Sequence, residues 1–127
     1  MIRLSTEQKK SLKGSAMNKR TRALDISPKV KKAVWERDGC QCIICGSREA
    51  MPNAHYISRA RGGLGIEENI VTLCRKCHDL FDNSRFHDKY KREIKLYLKS
   101  CYRNWNENDL IYNKEFWKEE NFEQHYA

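Results

Sequence analysis

Four cysteines, arranged as two Cys-x-x-Cys pairs, constrain the fold of this chain more than any other feature. Cys42 and Cys45 form the first pair, Cys74 and Cys77 form the second, and 28 residues lie between the pairs. A Cys-x-x-Cys turn directs two thiolates toward one point, so two such turns complete the tetrahedral shell of a zinc ion. Because protein atoms then fill all four positions, this zinc cannot activate water, and we expect it to be structural.

The cysteines leave two alternatives open. Cys40 could replace Cys42 as a ligand, although the two-residue spacing favours Cys42. The pairs could also have a redox role, but thioredoxin-like motifs occur singly and near a βαβ pattern. Cys101 falls on the apolar face of a predicted helix, so we expect it to be a buried hydrophobic residue.

Composition and charge favour a small domain with a polyanionic partner. Of the 127 residues, 39% are hydrophobic and 33% are charged, which predicts a thin core that a metal ion would reinforce. The sequence has neither an apolar run long enough to span a membrane nor a secretory signal, so we expect reduced cysteines. The net charge of +8 suits nucleic acid, although a basic surface without a specific partner would give the same value.

The distribution of charge and apolar residues divides the chain into three parts. Residues 1–22 are rich in Lys and Arg with few large apolar side chains, and we expect a mobile basic arm. Residues 23–83 hold the metal ligands and are expected to form the domain. Residues 84–127 are expected to be a helical extension that packs on it.

Local patterns predict mixed helix and strand, which is an α+β domain. Ser27 and Pro28 form a helix start, and Gly39 follows as a stop signal. Further along the chain we expect a strand over 54–58, a glycine-rich loop over 59–65, a short helix continuing from Cys77 through Phe81, and a longer helix over 84–102. The aromatic end, from residue 105 onward, is expected to be helical.

Three polar residues lie between or beside the cysteines, where a zinc site does not need them: His55, Asn69 and His78. Neighbours on a helix differ in direction by about 100°, so His78 faces away from the zinc if Cys77 faces it. Asp82 lies one turn further on, so His78 and Asp82 share a face and could hold a second metal ion. Considered one at a time, each residue has an ordinary structural explanation. His55 would be a packed or surface histidine, Asn69 a turn or cap residue, and His78 a neighbour of the zinc site.

Together with the cysteines, these residues resemble the HNH endonucleases, the ββα-metal nucleases, and are most similar to the small HNH proteins of bacteriophages and prophages. The resemblance covers residues 28–83, which implies an HNH ββα-metal domain within 23–83, and the segment 105–112 resembles the same group with less specificity. It rests on the segments Cys42-Ile-Ile-Cys45-Gly46, Ala54-His55-Tyr56-Ile57, Gly62-Gly63, Glu68-Asn69-Ile70 and Leu73-Cys74-Arg75-Lys76-Cys77-His78.

The resemblance implies a role for each polar residue. His55 would be the general base that deprotonates the attacking water, a task that suits an imidazole because its pKa lies near 7. Asn69 would orient His55 or the loop that holds it. His78 would bind a catalytic Mg²⁺ or Mn²⁺ ion with Asp82, and water and phosphate oxygens would complete the shell.

The resemblance also implies a role for two arginines, and the chain differs from the family pattern at one position. Arg59 and Arg61 would contact DNA phosphates. Many members of the family carry Asp or His immediately before the base as a metal ligand, whereas this chain has Ala54. His87 is disfavoured as a substitute ligand because a loop or helix start separates it from His78.

The implied function is metal-dependent hydrolysis of phosphodiester bonds in DNA, leaving 5′-phosphate and 3′-hydroxyl ends. A monomer would nick, and a homodimer would cut both strands. Phage packaging proteins are further expected partners, and the expected location is the cytoplasm of a bacterium or phage-infected host cell. One alternative is a non-catalytic, zinc-stabilised DNA-binding accessory protein, which Ala54 favours. Another is a protein–protein adaptor that uses the aromatic tail, without salt-sensitive DNA binding.

Overall fold

A computed structural model describes residues 19–113, which form an α+β fold as predicted. Strands β1 and β2 pair antiparallel as a two-stranded sheet. The elements in chain order are α1 (Lys19–Leu24), α2 (Pro28–Arg37), β1 (Ala50–His55), a 3-10 turn (Arg59–Arg61), a 3-10 turn (Glu67–Asn69), β2 (Ile70–Cys74), α3 (Arg75–Asn83), α4 (His87–Cys101) and a 3-10 turn (Glu107–Leu110). Within 19–113, no helix has the length and apolar character needed to cross a membrane.

Helix α2 begins where its sequence signals predict. The Ser27 hydroxyl accepts a hydrogen bond from the backbone N–H of Val30 at 3.2 Å, and Pro28 occupies the first turn, where its missing N–H costs nothing. Gly39 follows the helix with a φ of +74°, a backbone conformation that glycine adopts without strain. The chain therefore turns sharply after α2, and the first cysteine pair follows this turn directly.

The sheet, α3 and α4 enclose the main hydrophobic core. Most of its buried residues come from β1, β2, α3 and α4, among them Ala54, Val71, Phe81, Ile94 and Leu98, and Cys42 and Leu110 add to it from outside these elements. All five residues of β2 are buried, so this strand lacks the alternation that reveals a half-exposed strand. Sequence patterns accordingly left β2 unassigned.

The first strand is shifted from its predicted position. We expected a strand over 54–58, and the structure has β1 at Ala50–His55, with an irregularity in the ladder between Met51 and Ala54. The strand ends at His55 because its partner β2 begins at Ile70, the residue paired with His55; beyond it, Gly63 packs on the carbonyl of Ile57, where a Cβ would lie 1.6 Å from that oxygen. His55 is thus the last residue of the strand rather than a residue within it.

Helix α1 corrects the predicted boundary of the basic arm. Residues 19–22, assigned to a mobile arm, form the first turn of α1, and its last residues Ala23 and Leu24 are buried against Leu64. The boundary between residues 22 and 23 therefore falls inside a helix. Residues 1–18, the rest of the predicted arm, lie outside the described part of the chain.

The two later helices were predicted with small errors in their bounds. Helix α3 starts at Arg75 rather than after Cys77, because the Cys74 sulfur accepts the Cys77 N–H at 3.4 Å as an N-terminal cap. Helix α4 spans His87–Cys101 instead of 84–102. Both helices keep their predicted apolar faces, with Cys77 and Phe81 of α3 buried.

The segment after α4 returns across the glycine-rich loop. Leu110 is buried, and its carbonyl accepts the N–H of Leu64 at 2.8 Å. The ring of Trp105 packs edge-on against Tyr56, with ring centroids 5.6 Å apart. Of the helical end expected from residue 105, the described part contains the single 3-10 turn at Glu107–Leu110, and residues 114–127 lie outside it.

Candidate functional site

The four cysteines converge as the spacing predicts. Their sulfur atoms all lie within 4.8 Å of one another, and the sulfurs of Cys45 and Cys74 are 3.6 Å apart. A tetrahedral zinc with 2.3 Å bonds separates its sulfur ligands by about 3.8 Å, so the cluster fits one such ion. Cys40, the alternative ligand, is not a member of this cluster, and Cys101 is partly rather than fully buried.

The electrostatics of the cluster also favour a cation. Burial opposes ionisation of Cys42, but hydrogen bonds with the backbone of Cys45, Cys74 and Ile44 outweigh it and lower the pKa of the thiol to about 7. Burial and the neighbouring thiols raise the pKa of Cys77 above its usual range. Thiolates this close together repel each other, so a bound cation is what allows all four to ionise.

His55 points from the end of β1 toward the end of α1. Its Nε2 lies 2.9 Å from the carbonyl oxygen of Leu24. A carbonyl can only accept a hydrogen bond, so Nε2 carries the proton and Nδ1 of the neutral ring keeps its lone pair. Burial lowers the pKa of His55 below 6.5; the charge of Arg59 acts in the same direction, and the bond to Leu24 opposes it. The ring is therefore neutral near pH 7, with Nδ1 as its basic atom.

The carbonyl that orients His55 is itself held from two sides. Arg59 Nη1 donates to the same Leu24 oxygen at 3.0 Å and pairs with Asp25 Oδ1 at 2.8 Å. Gly65 packs on this backbone, since a Cβ there would lie 2.1 Å from the Asp25 carbonyl oxygen. The Gly65 N–H also donates to the Ala23 carbonyl at 3.0 Å. Sequence reasoning missed this support, because a main-chain carbonyl has no side-chain signature.

Asn69 holds the loop that follows His55. Its side chain is fully buried, and it accepts the N–H of Ile57 at 2.8 Å and donates to the carbonyls of Ile57 and Leu64 at 3.1 and 2.8 Å. Its own carbonyl accepts the N–H of Tyr56 at 2.7 Å. Of the two roles expected for Asn69, the structure shows contacts with the loop, whereas the ring of His55 is bonded to Leu24.

A buried ion pair braces the turn that carries Asn69. Arg37 donates to the carbonyls of Glu67 and Ile70, at the two ends of this turn, at 2.8 and 2.7 Å. The Arg37 side chain pairs with Asp38 at 2.7 Å, and the Asp38 side chain is fully buried. Neither residue stood out in the sequence, where an Arg-Asp dipeptide at the end of a helix is ordinary.

His78 and Asp82 share the solvent-facing side of α3, as their spacing predicts. His78 Nε2 lies 3.2 Å from Asp82 Oδ2, and the side chains are 35% and 47% exposed. Neighbouring ligands of an octahedral ion with 2.1 Å bonds lie about 3.0 Å apart, so this pair can contribute two adjacent positions. The fold thus pairs the two expected metal ligands on one helical turn of α3.

The remaining candidate residues differ in whether their side chains are exposed and free to bind a metal ion or a phosphate. Ala54 is fully buried in the main core, so its position faces away from solvent. His87 Nδ1 lies 2.6 Å from the Phe81 carbonyl, and its ring stacks on that of Phe81. Arg61 is exposed at the end of the 3-10 turn that begins with Arg59. Arg59 is about half exposed, but its guanidinium is engaged by Asp25 and Leu24.

Two comparisons with known proteins found matches to parts of the chain. The model of the HNH endonuclease family matches residues 40–83, the segment from the first cysteine pair to the end of α3. The chain is also 30% identical over 69 residues to "Anaredoxin" from Nostoc sp. (strain PCC 7120 / SAG 25.82 / UTEX 2576), an alignment that covers 54% of this chain and 80% of that protein. No solved structure matches the chain.

Proposed function

Because the chain belongs to the HNH endonuclease family, we propose that it is an enzyme that hydrolyses phosphodiester bonds of DNA with the help of a divalent metal ion. The observation that carries this proposal is the placement of His55. Its ring is half-buried, neutral near pH 7 and hydrogen-bonded to the Leu24 carbonyl, and the exposed pair of His78 and Asp82 supplies two candidate ligands for a metal ion. A basic nitrogen and metal ligands are what activation of water requires.

In the proposed reaction, His55 Nδ1 accepts a proton from water as the water oxygen attacks the scissile phosphorus. The bond from phosphorus to the 3′ oxygen breaks, which leaves 5′-phosphate and 3′-hydroxyl ends. His78 and Asp82 would hold a Mg²⁺ or Mn²⁺ ion, which would supply stabilisation of the charge that develops on the phosphate and the leaving oxygen. The Leu24 carbonyl fixes Nε2 as the protonated nitrogen of His55, and Asn69 keeps the loop after His55 in place.

The two arginines have different proposed roles. Arg61 is exposed and is the better candidate for a phosphate contact. Arg59 links Asp25 to the carbonyl that orients His55, so its main contribution is to position the base. A phosphate that drew Arg59 away from Asp25 would also disturb this support.

The second metal site of the proposal is structural. Zinc held by Cys42, Cys45, Cys74 and Cys77 ties the turn after α2 to the junction of β2 and α3, and His78 follows the last ligand directly. This ion stabilises the fold and takes no part in hydrolysis, since its four positions are occupied by protein sulfur.

The direct test is a nicking assay. The purified chain, freed of loosely bound metal, should convert supercoiled plasmid to the open circular form when Mg²⁺ or Mn²⁺ is added. It should leave the plasmid intact in EDTA. A preparation with its zinc in place that binds the plasmid but does not nick it at any concentration of either ion would rule out the endonuclease.

One observation favours a second candidate, the non-catalytic DNA-binding accessory protein. Ala54 is fully buried at the position where many family members place another metal ligand. The catalytic ion would then have only His78 and Asp82 as protein ligands, and its affinity would be low. The accessory protein predicts salt-sensitive DNA binding without nicking, so the plasmid assay separates the two candidates.

The pH dependence of cleavage should show the lowered pKa of His55. Since the base acts in its neutral form, kcat/KM should fall as the pH drops through this pKa, which lies below the ordinary value of 6.5. Activity at pH 6.5 should therefore be more than half of that at pH 7.5, because a pKa below 6.5 leaves most of the base neutral at that pH. The profile is measured with Mn²⁺ saturating at each pH, and an acid limb centred above pH 6.5 would contradict the assignment.

A further inference from the structure

Helix α4 presents a basic face that the proposed reaction does not use. Its inner side is apolar, with Ile94 and Leu98 fully buried. Its outer side carries Lys89, Arg92, Leu96 and Lys99, which recur at spacings of three and four and therefore form one stripe, and the exposed Glu93 lies beside this stripe, one turn after Lys89. We call these four residues the α4 basic face. All four are exposed, and Leu96 is 67% exposed.

Within residues 19–113, the three cations of the α4 basic face make no salt bridge to a carboxylate. Lys95, on the flank of the helix, differs because it pairs with Glu107 at 3.5 Å. An exposed leucine between unpaired cations provides both attraction for an anion and apolar contact. The face is thus suited to a polyanion with apolar parts.

The spacing of the cations fits a nucleic acid strand. Lys89 and Lys99 are ten residues apart, which corresponds to about 15 Å along the helix. Phosphates of one DNA strand recur about every 3.4 Å along the duplex axis, so three cations over this length can each meet a different phosphate. The sugars between phosphates would contact the Leu96 side chain.

The face is also continuous with the strand that carries the base. Lys91, on the same helix, lies over the ring of Tyr56, 5.3 Å from its centroid, and Tyr56 follows His55 directly. A groove of about 270 Å³ lies between α4 and the residue that follows β1, and it is lined by Tyr56, Asp88, Lys91, Arg92, Lys95 and Glu107. Arg92 therefore connects the α4 basic face to this groove, which holds cations and carboxylates and reaches the residue next to His55.

We propose that the α4 basic face binds the sugar–phosphate backbone of DNA at a distance from the scissile bond. This inference rests on the proposed function for the identity of the nucleic acid, and it assigns the surface that holds it. Contacts of this kind supply affinity without reading bases. They would anchor the duplex while His55 acts on a phosphate elsewhere.

The experiment measures binding apart from cleavage. The full-length zinc-loaded chain carrying His55→Ala is titrated onto a short fluorescein-labelled duplex in EDTA, with anisotropy as the readout, at several salt concentrations. Combining Lys89→Gln, Arg92→Gln and Lys99→Gln should weaken binding by about 10- to 100-fold. It should also reduce the slope of log K against log salt by about 2 to 3, because each lost phosphate contact removes about 0.9. Leu96→Glu should weaken binding by about tenfold.

The matched control removes three exposed cations elsewhere, through Lys31→Gln, Lys32→Gln and Arg48→Gln. It should change both affinity and slope much less. Equal losses in the two triple variants, or an absence of duplex binding by the parent, would overturn the proposal. If the parent does not nick plasmid and the α4 variant alone loses binding, the endonuclease proposal fails and the DNA-binding face stands. Circular dichroism and zinc content check that each variant is folded.

Discussion

Replacing His55 with alanine is expected to lower the rate of DNA cleavage by about 10²- to 10⁴-fold, the usual contribution of a positioned general base. The fold should survive this change. The ring of His55 is half-buried at the end of β1 and its one hydrogen bond in the structure is to the Leu24 carbonyl. Losing such a bond costs about 1 kcal/mol, and that carbonyl keeps Arg59 as a donor.

This prediction is measured by single-turnover cleavage of plasmid or labelled duplex, with Mg²⁺ or Mn²⁺ and enzyme both saturating. DNA affinity in EDTA should be unchanged, so the loss appears in the rate of chemistry rather than in binding. Met51→Ala is the matched control, because Met51 lies on the same strand and is 59% exposed. It should cleave at the parental rate. A His55→Ala variant that cuts as fast as Met51→Ala would show that another residue is the base.

Structural features that depend on residues close together in the chain were predicted correctly from the sequence. The start of α2 at Ser27 and Pro28 depends on capping chemistry confined to a few residues, and the convergence of the cysteines depends on their spacing. The pairing of His78 with Asp82 follows from one helical turn. Each of these features is decided by neighbours in the chain, and each was predicted close to its observed place.

Structural features that depend on contacts between residues far apart in the chain were not predicted from the sequence. Strand β2 is buried along its whole length, so it has no alternation to detect. Strand β1 ends at His55 because its partner strand begins at Ile70, 15 residues later in the chain. The acceptor that orients His55 is the Leu24 carbonyl, 31 residues earlier in the chain. Main-chain atoms of every residue type are alike, so sequence patterns cannot mark one carbonyl as important.

Replacing Cys74 with serine is expected to abolish tight zinc binding and to unfold the domain. Zinc binding to four cysteines supplies about 10–16 kcal/mol of apparent free energy at pH 7, and the whole stability of a domain is about 5–15 kcal/mol. Cys74 contributes twice, since it ends β2 and its sulfur caps α3 by accepting the Cys77 N–H. Its loss therefore removes a ligand and weakens the element that carries His78.

The measurement is zinc content per chain by elemental analysis, together with the thermal transition followed by circular dichroism. The parent should hold one tightly bound zinc, and EDTA at elevated temperature should remove it with loss of structure. Cys40→Ser is the matched control, because Cys40 lies two residues before the first ligand and outside the cluster of sulfurs. It should keep one zinc and nearly the parental transition. If Cys40→Ser loses the metal and Cys74→Ser keeps it, the ligand assignment is wrong. If both variants keep the zinc, Cys74 is not an essential ligand, and the assignment of four cysteine ligands is wrong.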